Sequence, residues 1–138
     1  MSIMRRQWTT HTCVPACVVY VYEKFDVKPE AWSDTLAVLG TTKKGTDLQR
    51  VPLCFTNSRW DVRRVKGVKR ELQAVRDGFL VIASFTTLRG NGHAVALNDL
   101  HVGELSLYDP VLGFNRCWSV DRWARRRRPS ESYAIRAV

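Results

Sequence analysis

Thr12-Cys13-Val14-Pro15-Ala16-Cys17-Val18-Val19-Tyr20-Val21-Tyr22 is the stretch on which the fold turns. Its β-branched centre, Val18-Val19-Tyr20-Val21, would suit a strand. Two features favour a helix over residues 13–25 instead. Pro15 falls in the first turn, where its missing N–H costs nothing. Val14, Cys17, Val18, Val21, Tyr22 and Phe25 then recur at three- and four-residue steps. Thr12 or Cys13 can cap the helix start. A cysteine there faces unpaired backbone N–H groups and the positive end of the helix dipole, which favours thiolate over thiol. Cys17, one turn further in, reads as a core residue.

Downstream, residues 29–39 form a second helix stopped by Gly40, and Gly45-Thr46-Asp47 opens a third. Pro52 forbids a long regular helix there. Residues 61–65 alternate as a short strand, and 68–76 form an amphipathic helix ending at Asp77-Gly78. The continuous apolar run 79–85 is a buried strand. Strands follow at 93–97, 104–108 and 113–118, with a turn at 99–103. Ser119 caps a helix through Trp123, and residues 133–138 close as a strand. Helices first and a meandering antiparallel sheet second give an α+β fold with two packed layers and one core. A single domain over residues 1–138 is expected.

Composition removes several classes. With 138 residues, 45% hydrophobic, and five Trp, four Tyr and five Phe, the chain has the core material that disordered, collagen-like and coiled-coil sequences lack. No apolar run approaches the roughly 20 residues of a membrane helix. The start, Met1-Ser2-Ile3-Met4-Arg5-Arg6, has no long apolar segment after its charges. A soluble cytoplasmic protein is therefore expected. Four cysteines in that setting do not suggest a disulfide framework. Cys13-x3-Cys17 is the only close pair, so no zinc site is expected, and no cofactor.

Net charge is +9, from 22 Lys and Arg against 13 Asp and Glu. Four of the cations form the run Arg125-Arg126-Arg127-Arg128 before Pro129. A solvated basic surface with weak, non-specific anion binding is the favoured reading over a dedicated nucleic-acid site.

The remaining chemistry lies in a few polar residues. Of His11, His93 and His101, His93 opens an apolar strand, where a ring needs a hydrogen-bond partner. Asp109 ends the next strand, and antiparallel neighbours bring such positions together. Asp109-Pro110 is equally a turn opener. Gln7 precedes Cys13 by six residues, close enough for its amide to reach an oxyanion.

Gln7-x5-Cys13, Val14-Pro15-Ala16-Cys17, Gly92-His93-Ala94-Val95 and Tyr108-Asp109-Pro110 together resemble the C39 peptidase family. These are papain-like cysteine peptidases, best known as N-terminal domains of bacteriocin-exporting transporters that cut leader peptides after a double glycine. The family's Asp-Pro follows its His by sixteen residues, as here. The segment from Thr42 to Leu48 looks like its Gly-Thr-Ser-Leu helix start. The resemblance runs from about Gln7 to Trp123. It implies a papain-like fold with Cys13 as nucleophile, His93 as general base, Asp109 orienting it, and Gln7 at the oxyanion. It also implies a peptide or protein substrate; the protein is expected to act as a monomer. Two departures stand out: Thr12 replaces the family's Asp and Val14 its Gly. They support the alternative of a silent domain that binds a peptide or partner. The chain has no G-x-x-x-x-G-K-[ST] motif, so an exporter's leader substrate does not follow from the resemblance.

Under this reading Cys13→Ala abolishes hydrolysis, whereas Cys17→Ala spares it and lowers stability modestly. Turnover and urea unfolding of the two variants check this; an exchange of effects would overturn the nucleophile assignment.

Overall fold

Helix α1, Cys13–Lys24, carries the sequence that decides the fold, and it is buried far more completely than a single apolar stripe requires. Every residue from Val14 to Tyr22 is shielded from solvent, including Val19 and Tyr20, which lie off the three- and four-residue pattern. The computed structural model describes residues 12–87, 92–128 and 131–138. Within them α1 packs on the central sheet on one side, and on a second helix and a 3-10 helix on the others. The Tyr20 ring stacks on Tyr108 at 4.2 Å with planes 2° apart. Its hydroxyl accepts a hydrogen bond from Asn98 Nδ2 at 2.7 Å, so the buried oxygen is satisfied. At the start, the Thr12 carbonyl accepts from Ala16 N–H. Its side chain makes no capping bond, contrary to one of the two cap expectations.

Helix α2, Trp32–Leu39, begins three residues later than the spacing predicts, because Ala31 is still extended at ψ 142°. It ends on Gly40 at φ 65°, a left-handed position that glycine occupies without a Cβ penalty. The segment behind Asp47 is the 3-10 helix Leu48–Cys54, with the Asp47 carboxylate accepting from Gln49 N–H and Pro52 inside. The remaining elements are β1 Trp60–Val65, α3 Val68–Arg76, β2 Leu80–Thr86, β3 Gly92–His101, β4 Glu104–Asp109, β5 Phe114–Ser119, α4 Val120–Arg126 and β6 Ser132–Ala137. The strands form one sheet in the order β1-β6-β2-β3-β4-β5, with every pairing antiparallel. This is the α+β arrangement expected from the sequence, with N-terminal helices packed on an antiparallel sheet.

Two local expectations change. The turn predicted at 99–103 shrinks to Val102-Gly103, because β3 continues through a bulge between Leu97 and Asp99 and pairs out to His101. Both turn residues have positive φ, 47° and 76°, as a two-residue hairpin demands. The sheet is also covered on both faces. Ile82, Ala96, Tyr108 and Ile135 pack with α1. Val81, Leu97, Leu107 and Trp118 pack with α3 and α4 on the other side. The layers therefore number three and the cores two. Alternation along β2 explains it, since Leu80 and Ile82 serve one core while Val81, Ala83 and Phe85 serve the other.

The basic run meets its expected solvent exposure only in part: Arg125 and Arg128 are exposed, whereas Arg126 and Arg127 are half-buried. Arg125 and Arg126 form the last turn of α4, which runs three residues beyond Trp123. The chain then extends, with Arg127 at ψ 146° bridged to Phe85. Arg127 turns inward and donates to Glu71 from Nε at 2.8 Å and Nη2 at 3.1 Å. Glu71 is fully buried and also accepts from Trp123 Nε1 at 3.0 Å and from the Ser132 hydroxyl. Four donors from α4, the segment after it and β6 thus satisfy one carboxylate on α3. Removing one partner of a buried pair leaves the other uncompensated. Glu71→Gln is accordingly expected to cost about 3–5 kcal/mol, read as a lowered midpoint of urea unfolding.

Candidate active site

Register alone brings three polar side chains together at one end of the sheet. Ala96 pairs with Tyr108, so the next step along the ladder sets Asp109 opposite Val95 and makes His93 its diagonal neighbour on the same face. On the other flank Asp109 pairs with Phe114, which makes Arg116 the corresponding diagonal neighbour. The bonds follow this geometry. His93 Nε2 lies 2.7 Å from Asp109 Oδ1, and Arg116 Nη1 donates to Asp109 Oδ2 at 3.1 Å. Val111 N–H donates to Oδ1 at 3.0 Å. Asp109 also fulfils the alternative role of turn opener: its carbonyl accepts from Leu112 and Gly113 N–H at 3.1 and 2.8 Å. Backbone and side chain serve the two roles at once.

Cys13, the first residue of α1, completes the line. Its sulfur hydrogen-bonds to the His93 side chain and to the backbone of Ala94 and Val14. Because Nε2 faces Asp109, the other ring nitrogen is the one left for Cys13. Burial pushes the Cys13 thiol up, but the His93 bond, the Ala94 backbone and the His93 charge outweigh it, and the thiol ends below its ordinary value. His93 moves the opposite way. Burial lowers it, while the bonds to Asp109 and Cys13 and their charges raise it to about 9. Burial pushes Asp109 up, and His93, Arg116 and Val111 hold it below the usual carboxylate range. Among these shifts, those of Cys13 and His93 favour a thiolate facing an imidazolium. The first turn of α1 contains no acidic residue to offset the dipole.

The other candidates fall elsewhere. Cys17 is fully buried, and burial lifts its thiol well above the ordinary value. Cys54 is raised to about 11 by burial. His101 lies exposed at the far end of β3. Gln7 and His11 lie outside the described residues. Sequence reasoning assigned no role to Arg116, although alternation in β5 and the β4–β5 register would have placed it beside Asp109. Phe85 was likewise not singled out; its ring meets the His93 ring edge-on, centroids 5.3 Å apart and planes at 88°.

Cys13, His93, Asp109 and Arg116 open onto a cleft of about 1850 Å³. Its walls come from the 3-10 helix and the segment before it, from β1, and from the β4–β5 turn and α4. Val14 also lines the cleft, although only 5% of it is exposed.

This site sits in a papain-like cysteine-peptidase fold. The chain shares the fold of C39 peptidase domains. It superposes on the peptidase domain of Streptococcus ComA, a bifunctional ABC transporter of a quorum-sensing pathway, with TM-score 0.76 and 15% identity, over 100% of this chain and 98% of that one. A double-glycine-motif protease from an AMS/PCAT transporter, solved with its leader peptide, gives 0.77 and 13%, over 99% and 93%. The C39-like domain of a toxin-secretion ATP-binding protein from Vibrio parahaemolyticus gives 0.67 and 7%, over 91% and 97%. No family model matches the sequence, and no curated protein matches it by sequence.

The shifts set an expected pH dependence. His93 titrates higher in the folded protein than its ordinary 6.5, so its contribution to stability is complete below that value and fades as pH rises through about 9. Asp109 titrates lower when folded, so its contribution is lost as pH falls through its depressed value. Cys13 should be alkylated by iodoacetamide at mildly acidic pH while Cys17 stays unreacted. His93→Ala should move the Cys13 profile up toward an ordinary thiol. Peptide mapping of alkylated protein across pH checks both; equal labelling of Cys13 and Cys17 would contradict the ion pair.

Proposed function

We propose that the protein is a cysteine peptidase with a Cys13-His93-Asp109 triad. The observation that carries this reading is the placing of Cys13 at the head of α1 beside His93, whose ring is bonded to a buried Asp109 carboxylate that Arg116 and Val111 N–H also hold. The fold shared with C39 peptidase domains supports it, and so does the leader peptide bound by one of them.

The Cys13 thiolate attacks the carbonyl carbon of a peptide bond, forming a C–S bond and a tetrahedral oxyanion. The Cys13 backbone N–H and the Gln7 amide hold that oxygen. The His93 imidazolium gives its proton to the leaving amine as the C–N bond breaks. Water then adds to the thioester, losing a proton to His93, and the acyl group departs as the acid with thiolate and imidazolium restored. Asp109 keeps the ring oriented and stabilises its charge, and Arg116 with Val111 fixes the carboxylate.

The oxyanion role separates an enzyme from a silent binding domain, because charge develops on that oxygen only during reaction. Gln7→Ala should cut turnover by about 10²–10³-fold and leave peptide affinity and folding unchanged. Cleavage of a peptide library by the wild-type chain, followed by kinetics of Gln7→Ala and Cys13→Ala on the best substrate, tests this. A chain whose Cys13 is unreactive toward iodoacetamide and that binds peptides without cutting them would replace the reading with the silent domain.

A further inference from the structure

The cleft beside His93 carries a concentration of cations that the reaction does not use. Beyond α4 the chain is extended, so successive side chains leave on opposite sides. Arg127 goes inward to Glu71. Its neighbours Arg126 and Arg128 line the cleft, with Arg122 from the preceding turn of α4. Arg128 lies across the start of β3: a Cβ added to Gly92 would meet its Nη1 at 2.1 Å. Gly92 immediately precedes His93, so this guanidinium stands at the threshold of the reacting atoms.

Two of these cations are anchored through their guanidinium groups, the third only through its backbone, and none is neutralised by a carboxylate among the described residues. Arg122 stacks on Trp118, its Cζ 4.2 Å from the ring centroid. Arg126 donates to the Thr86 carbonyl at 2.9 and 3.2 Å. Arg128 is tied down by its own backbone N–H to the Ser84 carbonyl. Among the described residues none of the three has an ion-pair partner. Lys43, Lys44 and Lys66 line the same cleft. Its acidic lining residues are already engaged. Asp109 serves His93 and Arg116, Asp47 caps the 3-10 helix, and Glu131 faces Arg64 at 3.4 Å.

We propose that this wall selects the substrate: the cleft takes a peptide with acidic side chains next to the bond presented to Cys13, held by Arg122, Arg126 and Arg128. The assignment deepens the peptidase reading and rests on it. Guanidinium groups bind carboxylates through paired N–H donors, and the anchoring of Arg122 and Arg126 keeps the ordering cost low. A cleft with one sign of charge also raises the local concentration of an oppositely charged chain. A basic peptide would meet like charge on both walls.

Binding to full-length Cys13→Ala separates this proposal from catalysis. Fluorescein-labelled peptides of one backbone, carrying Asp and Glu or the isosteric Asn and Gln, are titrated by anisotropy at low and high salt. The acidic peptide should bind about tenfold tighter or more, and the gap should shrink at high salt. The double variant Arg122→Gln/Arg128→Gln, which removes neither the Arg126 nor the Arg127 hydrogen bonds, should lose most of that gap while its circular dichroism stays native. Equal affinity for acidic and amide peptides overturns the proposal, as does a preference that survives the double variant. So does a single-stranded oligonucleotide that binds tighter than the acidic peptide and is not displaced by it. If Cys13 in the wild type is alkylated at mildly acidic pH and cuts peptides without regard to acidity, the peptidase reading stands and this one fails. If acidic peptides bind selectively but are never cut, the peptidase reading fails, substrate selection fails with it, and the cationic wall is left as a binding site alone.

Discussion

The burial of α1 on every side is the constraint from which the site follows. A helix held by packing all round cannot slide or rotate without opening one of the contacts that enclose it. Its first residue is thereby fixed against the start of β3, where Ala94 and His93 meet the Cys13 sulfur. The rest of the site is sheet geometry. Three neighbouring strands present His93, Asp109 and Arg116 as successive diagonal pairs. Helix packing sets one partner and hydrogen-bonded register sets the others. The meeting of sulfur and ring is therefore as well determined as the core itself.

Electrostatics reinforces this. Each charged group at the site has its opposite beside it: thiolate to imidazolium, imidazolium to carboxylate, carboxylate to guanidinium. Such a chain alternates in sign. It allows three partly or wholly buried ionisable groups to coexist where any one alone would be driven neutral. The same logic operates at Glu71, whose four donors make a buried carboxylate on α3 tolerable.

Much of this was legible in the residues. The period of α1, the Pro15 start and the apolar run of β2 carry local signals that tertiary structure obeys, whereas the sixteen-residue separation of His93 and Asp109 is legible only through the family resemblance. The misses have a common cause. Val19 and Tyr20 fall off the helical period of α1, and that period marks only one of the faces the helix buries. Two layers and one core were inferred for the same reason, since a continuous apolar strand does not say how many faces it buries. Within the basic run the inward turn of Arg127 is hidden from the sequence because its partner, Glu71, lies more than fifty residues away. Arg116 escaped notice because its role depends on pairing register, which a single strand does not encode. The Gln7 assignment rests on motif spacing alone.

The hairpin between β3 and β4 shows where the chain can carry strain. Val102 is a β-branched residue in the left-handed region at φ 47°, a conformation its side chain disfavours by about 1–2 kcal/mol. It sits at the opposite end of β3 from His93, roughly 25–30 Å of extended chain away. Strain at that distance is borne by an exposed turn and leaves the geometry around Cys13 alone. The hairpin is thus a reserve of stability. An asparagine or glycine at position 102 would relax the turn without altering any surface that the cleft presents, giving a route to a more robust protein that keeps its chemistry.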